Sequence, residues 1–162
     1  MQNPIDRLVV SEIFNSIQGE GPSCGQQAVF LRLGGCHLSC EWCDTKYTWD
    51  WNHFRSQDEL RRVDLADAQT EISRLWRPST RLLVITGGEP LLQSATLSTF
   101  LQSFRAPGDI DFRIEIETSG TLPPLDVSIP NIRYNVSPKL GSSGLSLYAR
   151  YKPAHLRTLL SV

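Results

Sequence analysis

Phe30-Leu31-Arg32-Leu33-Gly34-Gly35-Cys36-His37-Leu38-Ser39-Cys40-Glu41-Trp42-Cys43-Asp44-Thr45 places three cysteines within eight residues, directly after an apolar run. Ala28 to Leu33 is rich in apolar and β-branched residues and reads as a strand, so the cysteine loop hangs from a strand end. The spacing Cys36-x3-Cys40-x2-Cys43 packs three thiolates into a loop short enough to wrap one inorganic centre, and thiolates are the usual ligands of both iron–sulfur clusters and zinc. Three ligands on four irons leave one iron free to chelate a cofactor or substrate, whereas a closed structural zinc site takes four. His37 could be that fourth ligand, but adjacent Cys36 and His37 fit one ion awkwardly, and His37 reads as a loop residue. Cys24, in a Gly-rich turn with no partner at metal spacing, reads as a free thiol.

Upstream, Val9 to Ser16 is a second strand, separated from the first by Gly19-Glu20-Gly21-Pro22. Downstream, Leu65, Ala68, Ile72, Leu75 and Trp76 recur at helical spacing, which predicts a helix over 64–76 with Asp64 as its cap. Leu82 to Ile85 is a continuous apolar run suited to a strand buried on both faces. It ends at Thr86-Gly87-Gly88-Glu89-Pro90, where Pro90 fits the first turn of a helix presenting Leu97, Phe100, Leu101 and Phe104 before Pro107-Gly108. Phe112 to Glu117 and Ile132 to Val136 read as further strands, and Ala154 to Leu160 as a last helix.

Strands alternating with helices imply parallel βαβ units, whose ligands gather at the carboxyl ends of the strands. The chemically suggestive residues fall there. Cys36 follows one strand, Thr86 to Pro90 the next, Glu117-Thr118-Ser119-Gly120 the third and Ser137-Pro138-Lys139 the fourth. Two glycines at 87 and 88 let a ligand approach the backbone, Glu89 offers an acceptor for an ammonium group, and the helix start after it offers free amides.

Composition narrows the partners. Lys plus Arg total 16 against 17 Asp plus Glu, and a net charge of −1 supplies no field for gathering nucleic acid or anionic membrane. The stretch from Met1 to Phe14 has no apolar run of signal-peptide length, and nowhere do about 18 apolar residues follow one another. These features predict a cytoplasmic protein with a small-molecule partner and a single domain over 1–162. In a reducing compartment, crowded cysteines read as metal ligands rather than disulfides.

Cys36-x3-Cys40-x2-Cys43, with Trp42 before its last cysteine, resembles the signature of the radical S-adenosylmethionine (SAM) superfamily. Gly87-Gly88-Glu89-Pro90 resembles that superfamily's motif for the methionine amino group of SAM. Three further stretches resemble the 7-carboxy-7-deazaguanine synthase family: Glu12-Ile13-Phe14 with Ser16-Ile17-Gln18-Gly19-Glu20-Gly21, Phe30 to Cys36, and Cys43-Asp44-Thr45. The resemblance implies a partial (β/α) barrel with a parallel sheet and outer helices. It implies a [4Fe–4S] cluster on Cys36, Cys40 and Cys43, SAM held by Trp42, Cys43, Asp44, Gly88, Glu89, Glu117, Ser137, Pro138 and Lys139, and Mg²⁺ on Thr45. Ile17, Gln18, Gly19, Glu20, Arg32 and Thr86 would bind substrate. Gln and Glu can together read a pterin edge, and a guanidinium takes a carboxylate bidentately.

The reaction so implied converts 6-carboxy-5,6,7,8-tetrahydropterin to 7-carboxy-7-deazaguanine in queuosine and 7-deazapurine biosynthesis. One-electron cleavage of SAM starts it, with flavodoxin or ferredoxin as donor. No catalytic side chain beyond the cluster and SAM is implied. Members of the family usually run several tens of residues longer, so the last barrel strands are expected to be missing, and an open sheet edge predicts self-association, a homodimer in the simplest case. Two other readings are a glycyl-radical activase, which shares the cysteine spacing but has little use for a pterin-reading loop, and a small zinc-stabilised binding module.

Overall fold

The computed structural model describes residues 7–108, 111–127 and 129–161, so the stretch Met1 to Asp6 read above for export signals lies outside the described residues. Six strands form one sheet: β1 (Arg7–Ile17), β2 (Gln27–Leu33), β3 (Arg61–Asp64), β4 (Leu82–Gly87), β5 (Arg113–Thr118) and β6 (Ile132–Val136). Their order is β3-β1-β2-β4-β5-β6. The helices are α1 (Ser56–Glu59), α2 (Leu65–Leu75), α3 (Ser94–Ser103), α4 (Leu147–Arg150) and α5 (Pro153–Leu159).

The four strands β2, β4, β5 and β6 run parallel, as the alternation of strands and helices predicts. The other end of the sheet departs from that expectation, because β1 pairs antiparallel with both β2 and β3. The connection from Ile17 to Gln27 is too short for a crossover and closes a hairpin instead. β3 went unread in the sequence because Arg61-Arg62-Val63-Asp64 carries one apolar residue, enough only for an edge.

The two sheet faces divide the molecule. Leu8, Val10, Val29, Leu31, Leu33, Leu83, Ile85, Ile114 and Ile116 point to one side, where α2 supplies Ala68 and Ile72 and α3 supplies Leu97, Phe100 and Leu101. This is the main core. The opposite face carries only a small apolar cluster of Ala28, Phe30, Leu82 and Val84 with Phe14 beside it. Towards the strand ends that second face turns polar, since period-2 alternation brings Ser16, Arg32, Thr86, Glu115 and Glu117 onto it.

Two helix starts differ from the sequence reading. Asp64 occupies the cap position of α2 but makes no cap bond; its carboxylate accepts from Arg7 Nε at 2.7 Å and ties β3 to β1. The segment after Glu89 begins as a 3-10 turn over Pro90–Gln93, with α3 following from Ser94. Glu89 itself caps that turn, accepting from the Leu91 amide at 3.2 Å.

Candidate active site

A cavity of about 400 Å³ opens on the polar face at the carboxyl ends of the parallel strands. Its wall contains Cys36, Cys40 and Cys43 from the loop after β2, and Ile17, Gln18, Gly19 and Glu20 from the end of β1. Arg32 and Thr86, partners in the β2–β4 register, sit side by side on its floor. Trp42, Asp44, Thr45, Gly88, Glu117, Ser137 and Lys139 complete the set that the sequence singles out. Glu89 and Pro138 are the two expected residues that do not line it.

The glycines after β4 make the cysteine loop possible. A Cβ on Gly88 would lie 2.2 Å from the Gly35 carbonyl oxygen and 2.9 Å from Cys36 Cβ. The loop is pinned there by two amides, Gly88 to Leu33 O at 3.1 Å and Glu89 to Gly35 O at 2.9 Å. Burial pushes the Cys36 thiol up to about 11, against an opposing hydrogen bond from the Leu38 amide, and burial also raises Cys40. Cys43 Sγ accepts from Trp49 Nε1 at 3.3 Å and lies 3.6 Å from Thr45 Oγ1. Among the described residues, no three Cys, His, Asp or Glu side chains are gathered as ligands of one ion. The three thiols instead ring a shared cavity wall, which suits a cube whose irons each take one thiolate at a separate corner.

Glu89 is 1% exposed, and all its contacts are internal. Oε1 accepts from Thr118 Oγ at 2.8 Å, and Oε2 from the Ser119 amide at 2.9 Å and Ser119 Oγ at 2.6 Å. This carboxylate therefore ties the end of β4 to the end of β5 beneath the cavity floor. A hydroxyl chain continues from Ser119 to Thr121 at 2.7 Å and on to His37 Nε2 at 2.8 Å, which anchors the cysteine loop. His37 is thus occupied in positioning the loop.

The residues expected on the substrate side divide in a way the sequence does not reveal. Gln18 is 2% exposed. Its amide nitrogen donates to Glu117 at 3.0 Å and to Glu115 at 3.3 Å, while its Oε1 accepts from the Glu20 amide at 3.1 Å. Its backbone pairs with Gln26 and Gly25. The Gln18 side chain holds the loop together, and Glu20, which is exposed, is left to face the cavity. Arg32 donates through Nε to Glu12 Oε2 at 2.7 Å and lies over the Phe14 ring. Its terminal nitrogens make no hydrogen bond among the described residues, so the fork that could take a carboxylate remains open. Glu12 also accepts from Tyr47 OH at 3.1 Å. Sequence reasoning gave no role to Glu12, Trp49 or the buried Glu115; the available signals were the place of Glu12 at the head of a family-like stretch and an aromatic at 49, six residues after the last cysteine.

Lys139 lies over the Trp42 ring with Nζ 5.4 Å from its centroid, and donates to Ser137 Oγ at 3.2 Å. The pair caps the outer wall.

The radical SAM superfamily model matches residues 31–136, two thirds of the chain, from β2 through β6. The chain belongs to the radical SAM superfamily. Curated relatives narrow the likeness: a 7-carboxy-7-deazaguanine synthase of Hyperthermus butylicus is 41% identical over 82% of this chain and 52% of its own length. The synthase of Pyrobaculum aerophilum is 40% identical over 86% of this chain and 58% of its own, and that of Rickettsia prowazekii 36% over 85% and 54%. A crystal structure of QueE from Escherichia coli superposes with a TM-score of 0.62 at 32% identity, covering 83% of this chain and 61% of that one. The chain spans about half the length of the curated relatives it matches. This radical SAM chain has the open, partial (β/α) barrel expected from the motifs, and the superfamily implies a [4Fe–4S] cluster and SAM. The residues present fit that cluster: three cavity-facing thiols on a loop seated against glycine.

Proposed function

We propose that this protein is a 7-carboxy-7-deazaguanine synthase, converting 6-carboxy-5,6,7,8-tetrahydropterin to 7-carboxy-7-deazaguanine, with residues 1–162 acting as a single domain. One observation carries the reading: a single cavity brings together Cys36, Cys40 and Cys43, the backbone of Gly88, the Ile17–Glu20 segment and the open fork of Arg32. The synthase names of the relatives support it over a glycyl-radical activase, and superfamily membership argues against a zinc-stabilised module.

Cys36, Cys40 and Cys43 would hold the cluster, which with SAM supplies a hydrogen-abstracting carbon radical. Trp42, Asp44, Gly88, Glu117, Ser137 and Lys139 would bound the SAM site. Glu89 and Pro138 would shape it from behind, Glu89 by fixing the strand ends. Arg32 would take the substrate carboxylate, with Glu12 holding the guanidinium in plane. Thr86 beside it and Ile17, Gly19 and Glu20 above would enclose the pterin, and Gln18 would brace that wall. Thr45 would lend its hydroxyl to Mg²⁺, whose remaining ligands must be substrate oxygens and water. The protein's own share is orientation and exclusion of water.

The exposed Trp42 ring under Lys139 offers a cationic approach to the cysteine loop, suited to an acidic flavodoxin or ferredoxin as electron donor. Among the described residues β6 forms the parallel edge of the sheet, opposite the β3 edge, and an unpaired parallel edge supports a homodimer. No helix among those residues is long and apolar enough to cross a membrane, which supports a cytoplasmic location.

The direct experiment is anaerobic: reconstituted protein with 6-carboxytetrahydropterin, SAM, Mg²⁺ and a strong reductant, followed by mass spectrometry. A product with the mass of the deazapurine supports the reading. SAM cleavage with the pterin unchanged would overturn it.

A further inference from the structure

Glu115 is 1% exposed in the middle of β5, on the polar face but outside the cavity lining. A carboxylate at that depth must be matched by donors. Three come from three different elements: Ser23 Oγ at 2.5 Å, Asn135 Nδ2 at 2.9 Å and Gln18 Nε2 at 3.3 Å. Arg133, its register partner on β6, brings Nη1 to 3.8 Å from the edge. Ser23 is itself wholly buried and closes the 3-10 turn Gly21–Ser23.

The donors belong to one loop and its seat. Gln18 begins the β1–β2 connection, Ser23 ends its turn, and Asn135 lies under it. Gly21, at φ +64°, has no room for a side chain because a Cβ would lie 2.9 Å from the Asn135 amide. Glu20 stands between the two anchored points, its amide bonded to Gln18 Oε1. None of these contacts reaches the cysteine loop or the Gly87–Gly88 turn.

We infer that Glu115 is a positioning residue: by accepting from Gln18, Ser23 and Asn135 together it fixes the 18–23 loop over β5 and β6, and so sets where Glu20 meets a heteroaromatic substrate. The inference rests on the proposed pterin site. Removing the carboxylate leaves Ser23 Oγ and Asn135 Nδ2 unmatched and Gln18 Nε2 with Glu117 alone, while the thiols and glycines of the SAM side keep every bond they have.

The test uses cluster-reconstituted wild type, Glu115→Gln, Glu115→Ala and Ser23→Ala. Hydrogen-exchange mass spectrometry reads the loop, and equilibrium binding of 6-carboxytetrahydropterin and of SAM reads the site. Exchange over 18–26 should rise in all three variants, with 82–91 unchanged. Pterin binding should weaken by about tenfold or more in Glu115→Ala and less in Glu115→Gln, which keeps one acceptor oxygen, with SAM affinity held within about twofold. Ser23→Ala removes one donor and leaves the carboxylate, so it reports on the loop even if both Glu115 variants fail to fold. Wild-type exchange over 18–26 in the folded variants, or equal losses for pterin and SAM, would overturn the inference. Wild-type protein that binds SAM but no pterin would instead refute the proposed function, and the exchange data would still decide the role of Glu115.

Discussion

The guanidinium of Arg32 is held by Glu12 through Nε at 2.7 Å, and among the described residues its terminal nitrogens make no hydrogen bond. A side-on ion pair of this kind fixes the plane of the fork without consuming the edge that recognises a carboxylate. Lys in its place would keep the charge and lose the fork. Arg32→Lys should therefore weaken pterin binding by about ten- to a hundredfold, the cost of losing a charge-assisted pair, while SAM cleavage without substrate persists. Glu12→Gln should weaken pterin binding less. Paired binding and single-turnover assays check both.

Trp49 donates its indole N–H to Cys43 Sγ. Hydrogen bonds to cluster sulfurs stabilise the more negative, reduced state and raise the reduction potential. Trp49→Phe should leave the iron content unchanged and lower the midpoint potential in an EPR-monitored titration. Trp51→Phe, altering a half-exposed ring outside the cavity lining, should leave the potential where it is.

Gly87 sits at φ +138°, and a Cβ there would fall 2.0 Å from the Leu33 carbonyl oxygen. Gly87→Ala should destabilise the fold by about 2 kcal/mol or more, as forced backbone shifts do, and should reduce iron uptake because the same turn seats the cysteine loop. Urea unfolding and iron analysis on one preparation check the two effects together.

A surface pair gives a pH signature. Arg61 donates twice to Glu71, at 2.6 Å each, which links β3 to α2, and the hydrogen bond from Arg61 lowers the Glu71 carboxyl below its ordinary range. A depressed folded-state value adds stability above the unfolded value and loses it as pH falls through the folded one. With both side chains partly solvated, the gain is at most about 0.5 kcal/mol. Glu71→Gln should show that small deficit in urea unfolding at pH 7, and the deficit should vanish near pH 3.

How far the sequence alone reaches can be judged at particular residues. The gathering of Cys36, Cys40, Cys43 and the Gly87–Pro90 turn on one cavity was legible because local spacing puts three thiols in one short loop and two glycines at the end of the neighbouring strand. β6 was found to the residue, from its apolar and β-branched content. β3 was not, because an edge strand held by Arg7–Asp64 needs little apolar surface. Glu115 was illegible for another reason: Arg113-Ile114-Glu115-Ile116-Glu117 alternates like a strand with one face in water. Only the folded chain shows that Gln18, Ser23 and Asn135 converge there from 97, 92 and 20 residues away. The same distance hid the inward turn of Gln18 and the partnership of Arg32 with Glu12.

The claim on which the functional reading stands is that one cavity holds SAM and a carboxypterin in reacting contact. It is tested most directly with substrate carrying deuterium at the carbon that bears the carboxylate, under anaerobic turnover, by mass spectrometry of the 5′-deoxyadenosine formed. The expected result is 5′-deoxyadenosine one mass unit heavier, appearing with the deazapurine. Unlabelled 5′-deoxyadenosine, formed equally with and without the pterin, would contradict it.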